Sequence, residues 1–175
     1  ELMSGGGLVN IQRTGTNSVT VFGGSGTETV RIGQAGSWVL GRVTFHANGG
    51  GDALELPRFS ALSTSGSVEV IGGLAAMTVD DRAATAPTYY DVYNNSLIWN
   101  GRRVVTFPPA IGQFTLHAGD FSDFIHVRSV PGFTTIIAGG GSDDVTIGMS
   151  WAGAASTDLS SFGNKLTVNA GAGGG

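Results

Sequence analysis

The chain repeats one phrase, with variations, about every 20 to 25 residues. A short strand of alternating apolar residues leads into a glycine-rich turn, an acidic residue, and a second alternating strand. Four copies are clearest. Val19-Thr20-Val21 runs through Gly23-Gly24-Ser25-Gly26-Thr27-Glu28 to Val30-Arg31-Ile32, and Val43-Thr44-Phe45 runs through Asn48-Gly49-Gly50-Gly51-Asp52 to Leu54-Glu55-Leu56. Phe114-Thr115-Leu116 runs through Gly119-Asp120 and Asp123 to Ile125-His126-Val127, and Thr134-Thr135-Ile136 runs through Gly139-Gly140-Gly141-Ser142-Asp143 to Val145-Thr146-Ile147. In all four, nine positions separate the last inward residue of the first strand from the first of the second (21 to 30, 45 to 54, 116 to 125, 136 to 145). The acidic residue stands two before the second strand's first inward residue. Self-similarity at a fixed period is the mark of a solenoid, in which each copy buries its apolar face only against its neighbours.

Thirty glycines would suit a disordered chain, but disorder needs low hydrophobicity and high charge. Here 41% of residues are hydrophobic and 13% charged, so the glycines read as turns between strands. Thr and Val dominate the alternating segments, both good strand formers, and no helical period persists. The expected fold class is therefore all-β. A net charge of -4, with Lys165 the sole lysine, argues against a nucleic-acid surface. No apolar run is long enough to span a membrane as a helix. The absence of cysteine excludes disulfides and thiolate chemistry.

Aligning first strands by their inward pairs (Val19/Val21, Val43/Phe45, Val68/Val70, Phe114/Leu116, Thr134/Ile136, Leu166/Val168) predicts a single-stranded, right-handed parallel β-helix of about seven coils. The alternative is an antiparallel β-sandwich, which regular short strands with glycine turns also suit. Residues 1–175 read as one β-solenoid segment. Residues 83–111 read as a local excursion or irregular coil, because Asn100-Gly101 is a two-residue hairpin signal. Ser4-Gly5-Gly6-Gly7 and Leu166 to Gly175 each resemble half of a phrase, so the chain is expected to be a segment of a longer protein.

The stretch Gly23 to Arg31 resembles the glycine-rich nonapeptide of RTX (haemolysin-type) calcium-binding proteins, with Glu28 where that family has Asp; Gly139, Gly141, Asp143 and Val145 fit the same pattern. The longer unit from Met77-Thr78-Val79-Asp80-Asp81 to Gly139-Gly140-Gly141-Ser142-Asp143-Asp144-Val145 is similar to units of very large bacterial surface and secreted proteins, grouped with adhesins and autotransporter passengers. That resemblance implies an extracellular or cell-surface location, with neighbouring repeats of the parent chain as partners and glycans or host surfaces as candidates. RTX nonapeptides follow one another in tandem, whereas here the phrases stand 20 or more residues apart, so the family's calcium site does not carry over as it stands.

Candidate site residues follow from the same alignment. Glu28 and Asp52, and again Asp123 and Asp143, fall one repeat apart, with Met77 interrupting the column. Stacked carboxylates repel unless neutralised. A calcium ion, which takes several oxygens, would do this. Alternatively, each carboxylate accepts the N–H groups of its own turn and points into solvent. Asp80, Asp81, Asp143 and Asp144 are the carboxylates available to a rival reading as a polysaccharide-cleaving enzyme. The aromatics Trp38, Trp99, Trp151, Tyr89, Tyr90 and Tyr93 form either a glycan platform or a cover for the flank. His46, His117 and His126 read as surface histidines. No nucleophile–histidine–acid arrangement, phosphate loop or histidine-rich metal pattern appears. The expected function is non-enzymatic: a rigid stalk or passenger segment of a bacterial extracellular protein. Polysaccharide binding or cleavage, and a calcium-organised module, are the alternatives.

Overall fold

The computed structural model describes residues 2–3, 6–14, 18–33, 38–39, 41–48, 51–61, 66–109, 111–148 and 162–171. Gly49 and Gly50 of the second phrase and Trp151 lie outside these residues, as does the side chain of Trp38.

Among the described residues there are eighteen strands, sixteen of them in two main sheets and two in a small third one. The first holds β1 (Leu2–Met3), β4 (Val19–Phe22), β7 (Arg42–His46), β9 (Ser67–Ile71), β11 (Tyr89–Tyr93), β12 (Ser96–Trp99), β13 (Arg102–Thr106), β15 (Phe124–Val127) and β17 (Asp144–Ile147), in the order β1-β4-β7-β9-β13-β12-β11-β15-β17. The second holds β2 (Gly7–Ile11), β5 (Glu28–Ile32), β8 (Ala53–Pro57), β10 (Leu74–Asp80), β14 (Ile111–His117), β16 (Phe133–Ile137) and β18 (Leu166–Asn169), in the order β18-β16-β14-β10-β8-β5-β2. A third, two-stranded sheet joins β3 (Arg13–Thr14) to β6 (Trp38–Val39). Outside the meander described next, the chain passes from one main sheet to the other at each glycine turn, and its strands pair in parallel with those of the neighbouring repeat.

This arrangement overturns the expected β-helix of about seven coils. Among the described residues no closed solenoid forms: two sheets of nine and seven strands face each other, beside the small β3–β6 pair. The nine-stranded sheet is mixed, because β12 runs antiparallel to both β11 and β13. The antiparallel sandwich alternative fits the two-layer packing and this meander, but the seven-stranded sheet is parallel throughout. The meander has a local cause. Asn100 (φ 48°) and Gly101 (φ 75°) both adopt the left-handed region, as a tight hairpin turn demands.

The core lies between the sheets. In the seven-stranded sheet one inward column runs Val9, Val30, Leu54, Met77, Phe114, Thr134 and Leu166. A second runs Leu56, Val79, Leu116, Ile136 and Val168. Val21, Phe45 and Val70 face them from the other sheet. Leu54, Phe114, Leu116, Val21 and Phe45 are fully buried, each such side chain contributing about 1.5–3 kcal/mol. Thr134, buried in an otherwise apolar column, donates its Oγ1 hydroxyl to the Gly132 carbonyl at 3.2 Å, which satisfies the group locally.

The meander also changes the register expected from the alignment. Val68/Val70 lie in the nine-stranded sheet but Phe114/Leu116 lie in the seven-stranded one. Three consecutive strands stay in one sheet, so the later phrases begin in the opposite layer. Met77 moves for a different reason. The Gly72-Gly73 turn is short, so Met77 pairs with Leu54 in the core, and Ala75, whose N–H bonds the Asp52 carbonyl, stands level with the acid.

Candidate functional site

The four acids do not form one column. Glu28 and Asp52 sit where the chain crosses from the nine-stranded to the seven-stranded sheet. Asp123 and Asp143 sit at the opposite crossing. Each pair is bound into its turns by the same pattern. Asp52 Oδ2 accepts the N–H of Asn48, four residues earlier, at 2.9 Å, and its Oδ1 accepts the Glu28 N–H, one repeat earlier, at 3.0 Å. Asp123 Oδ2 accepts the Gly119 N–H, again four earlier, at 3.0 Å, and its Oδ1 accepts the Thr88 N–H at 2.8 Å. Asp143 Oδ1 accepts the Asp123 N–H at 2.9 Å. One carboxylate thus closes its own glycine turn and ties it to the turn of the preceding repeat. Asp52 and Asp123 are enclosed (0% and 1% exposed), so these side chains do not point into solvent.

Two acids depart from the pattern. Glu28, also fully enclosed, is one methylene longer than Asp, and neither of its carboxylate oxygens has a hydrogen-bond partner. It shares its pocket with Asp52 around Gly23: a β-carbon there would stand 2.9 Å from Asp52 Oδ2 and 3.3 Å from Glu28 Oε2. Contact with the Asp52 carboxylate, then burial, raises the Glu28 pKa; the Gly24 and Gly6 N–H groups pull the other way without closing hydrogen bonds of normal geometry. Asp143 Oδ2 is likewise buried without a partner. Burial raises the Asp123 pKa against the lowering effect of the Thr88 and Gly119 N–H groups. Among the described residues, no three His, Asp or Glu side chains gather as a metal-binding group.

Thr88 holds the acid's place in the repeat before Asp123, and the turn containing it is organised by Asp81. Asp81 is fully buried, accepting the Ser60 N–H at 2.6 Å and the Tyr90 hydroxyl at 2.7 Å. Burial pushes up the pKa of both Asp81 and Tyr90, and the neighbouring Asp81 charge raises that of Tyr90 further. This contact escapes sequence reasoning, since nothing in Tyr89-Tyr90 marks which ring turns inward. Asp80, next to Asp81 but facing outward, is paired with Arg82 at 2.6 Å; that bond holds its pKa below the usual carboxylate range. Asp144 is exposed and accepts the Thr146 hydroxyl at 3.1 Å.

The aromatics scatter over several surfaces. Tyr89 is exposed and stacks on Phe124 (centroids 4.5 Å apart, 7° between planes); Tyr90 is buried; Trp99 meets Phe59 edge-on at 5.7 Å, its indole N–H buried without an acceptor. His46 stacks on Phe22 at 4.6 Å. His126 Nδ1 lies 3.3 Å from Asp91, which also receives Arg128 Nε at 2.9 Å. His46, His117 and His126 are all half-buried. Among the described residues no helix is long and apolar enough to cross a membrane.

No family model, no curated protein and no solved structure matches this chain.

Proposed function

We propose that this chain is a non-catalytic, load-bearing or adhesive segment of a large bacterial extracellular or cell-surface protein. One observation carries the reading. The buried carboxylates of Asp52 and Asp123 are both consumed in binding backbone N–H groups of two successive repeats. A catalytic acid or base must reach a substrate proton at hydrogen-bond distance, and these two are committed elsewhere. Charge-assisted bonds to backbone N–H are among the stronger protein hydrogen bonds. Placed between repeats, they oppose sliding of one strand pair past the next. The resemblance of the glycine–acid units to those of surface adhesins and passengers supports the location.

Pulling a tandem array of the chain by its ends in a force microscope tests this. The expected result is stepwise release of repeats, with Asp123→Ala lowering the force of the early steps. Gradual extension at low force, indifferent to that substitution, refutes the load-bearing reading. The rival enzymatic reading, resting on Asp80, Asp81, Asp143 and Asp144, is tested by reducing-sugar release from a panel of acidic polysaccharides. Cleavage abolished by substituting any of these four overturns the non-catalytic assignment.

A further inference from the structure

The outward face of the seven-stranded sheet changes character along its length. One outward column reads Asn10, Arg31, Glu55, Thr78, Thr115, Thr135 and Thr167. Near its start the face satisfies itself, with Arg31 and Glu55 paired at 2.5 Å. From Thr78 onward the column holds only threonines, on four successive parallel strands spaced at about 4.8 Å.

Beside these threonines the face is concave. A depression of about 330 Å³ is lined by Gln113, Thr115, Phe133, Thr135, Lys165 and Thr167, together with Thr134. Gln113 pairs directly with Phe133 across β14 and β16, so the amide, the ring and the threonine row are neighbours on one face of the sheet. Phe133 is 60% exposed, the highest value among the exposed large hydrophobic residues described. Phe133 also lines a second depression, of about 490 Å³, together with Ile111, Gly112, Pro131, Gly132 and Asn164. Among the described residues, the Gln113 amide, the Thr115, Thr135 and Thr167 hydroxyls and the Lys165 amine make no hydrogen bond or ion pair with another side chain. Convergent, uncommitted polar groups beside an exposed aromatic ring in a concave surface are the general make-up of a small-ligand site.

The chemistry narrows the ligand. An aromatic face buries an apolar ring face of comparable size, and the hydroxyls and amide both donate and accept, which suits a ligand carrying many hydroxyls. One lysine on a chain of net charge -4 gives little attraction for a polyanion. The threonines recur along one line over successive strands, so the ligand is extended as well. We infer that the groove beside Phe133 binds an uncharged, extended oligosaccharide, with the Phe133 ring stacked on a sugar face and Gln113, Thr115, Thr135 and Thr167 bonding its hydroxyls. The site gives the proposed surface segment an adhesive face. It does not depend on the load-bearing role, which the force measurement tests separately.

Titration of the intact chain with cellohexaose, followed by amide chemical shifts, tests the assignment. The expected result is saturable shifts at Gln113, Phe133, Thr135 and Thr167, with a dissociation constant on the order of 1 mM, as suits a small, open interface. Phe133→Ala should weaken binding at least about tenfold while leaving the melting temperature unchanged, because the ring is mostly in solvent. Thr135→Val, which keeps the shape and removes the hydroxyl, should weaken it several-fold. No saturable shift at about 10 mM cellohexaose, shifts confined to other residues, or equal binding by Phe133→Ala would each overturn the proposal.

Discussion

Replacing Asp123 by alanine removes the acceptor of two backbone N–H groups 31 residues apart in sequence (Gly119 at 3.0 Å and Thr88 at 2.8 Å). Asp123 is 1% exposed, so water does not readily take the carboxylate's place. A hydrogen bond to a charged group contributes about 1.5–3 kcal/mol, and a buried donor left alone costs about 1–3 kcal/mol. Two bonds would give at most about 6 kcal/mol. Against this stands the relief of burying a carboxylate, visible in the upward push on its pKa. A net loss of about 3 kcal/mol follows, or a fall of about 6–12 °C in melting temperature for a chain of this size. Asp123→Asn keeps one acceptor but turns an NH2 group toward the other donor, so about two-thirds of that loss is expected. Asp120, three residues away and exposed, is the control: Asp120→Ala should change stability by less than about 0.5 kcal/mol. Circular dichroism melts and urea titrations measure all three variants. If Asp123→Ala melts with Asp120→Ala, the carboxylate does not tie the turns together and the reasoning fails.

Four further outcomes are expected. Glu28→Asp shortens the side chain to the length that Asp52 and Asp123 use, bringing its carboxylate back to the Gly24 N–H; a higher urea midpoint is expected, and a lower one would show that Glu28 is already well placed. Gly139→Ala puts a β-carbon 1.9 Å from the Gly119 carbonyl oxygen at a φ of 94°, so stability should fall by well over about 1 kcal/mol, where the same replacement at an unstrained glycine raises it by about 0.4–1 kcal/mol; no change or a gain in a urea titration would refute the close approach. Raised folded-state pKa values for Glu28, Asp81 and Asp123 mean stability that is present at and below the ordinary carboxylate range and is lost as pH rises through the raised values; Asp80, lowered by Arg82, acts oppositely but is one partly exposed group, so the melting temperature should be higher at pH 5 than at pH 8, and the reverse order would contradict the burial of these acids. Because N–H groups already occupy both carboxylates of Asp52 and Asp123, melts in EDTA and in millimolar calcium should superimpose; a rise of about 5–11 °C, the effect of a ligand at 100 times its dissociation constant, would instead make these acids cation ligands.

The strands and their inward faces were legible because alternation has a period of two in any sheet. Val30, Leu54 and Phe114 are buried as their spacing requires. The Asn100-Gly101 hairpin was legible too, from turn chemistry that only a few residues satisfy. The layer in which each phrase begins was not legible, for the same reason that the strands were. Val19-Thr20-Val21 and Phe114-Thr115-Leu116 carry the same pattern although they belong to opposite sheets, so one apparent acidic column was in fact two. The short Gly72-Gly73 turn slipped Met77 from the expected acid position into the core, a difference of two residues that alternation cannot detect. In the candidate sites, the turn-binding role of Asp52 was readable from its place after glycines. Its enclosure depended on the repeat stacked above it. The pairing of Asp81 with Tyr90 and the groove around Phe133 arise from contacts between repeats, which no local pattern encodes.

The meander sets three strands (β13, β12 and β11) between β9 and β15 in one layer, where the other has β14 alone between β10 and β16, so the two walls of the sandwich are unequal. Among the described residues one wall has nine strands and the other seven, a mismatch of about 10 Å at the usual strand spacing. Layers packed about 10 Å apart take up such a difference by tapering, as a voussoir does in an arch. Such units laid end to end would trace a curve, and the place of one hairpin in the sequence would set its direction.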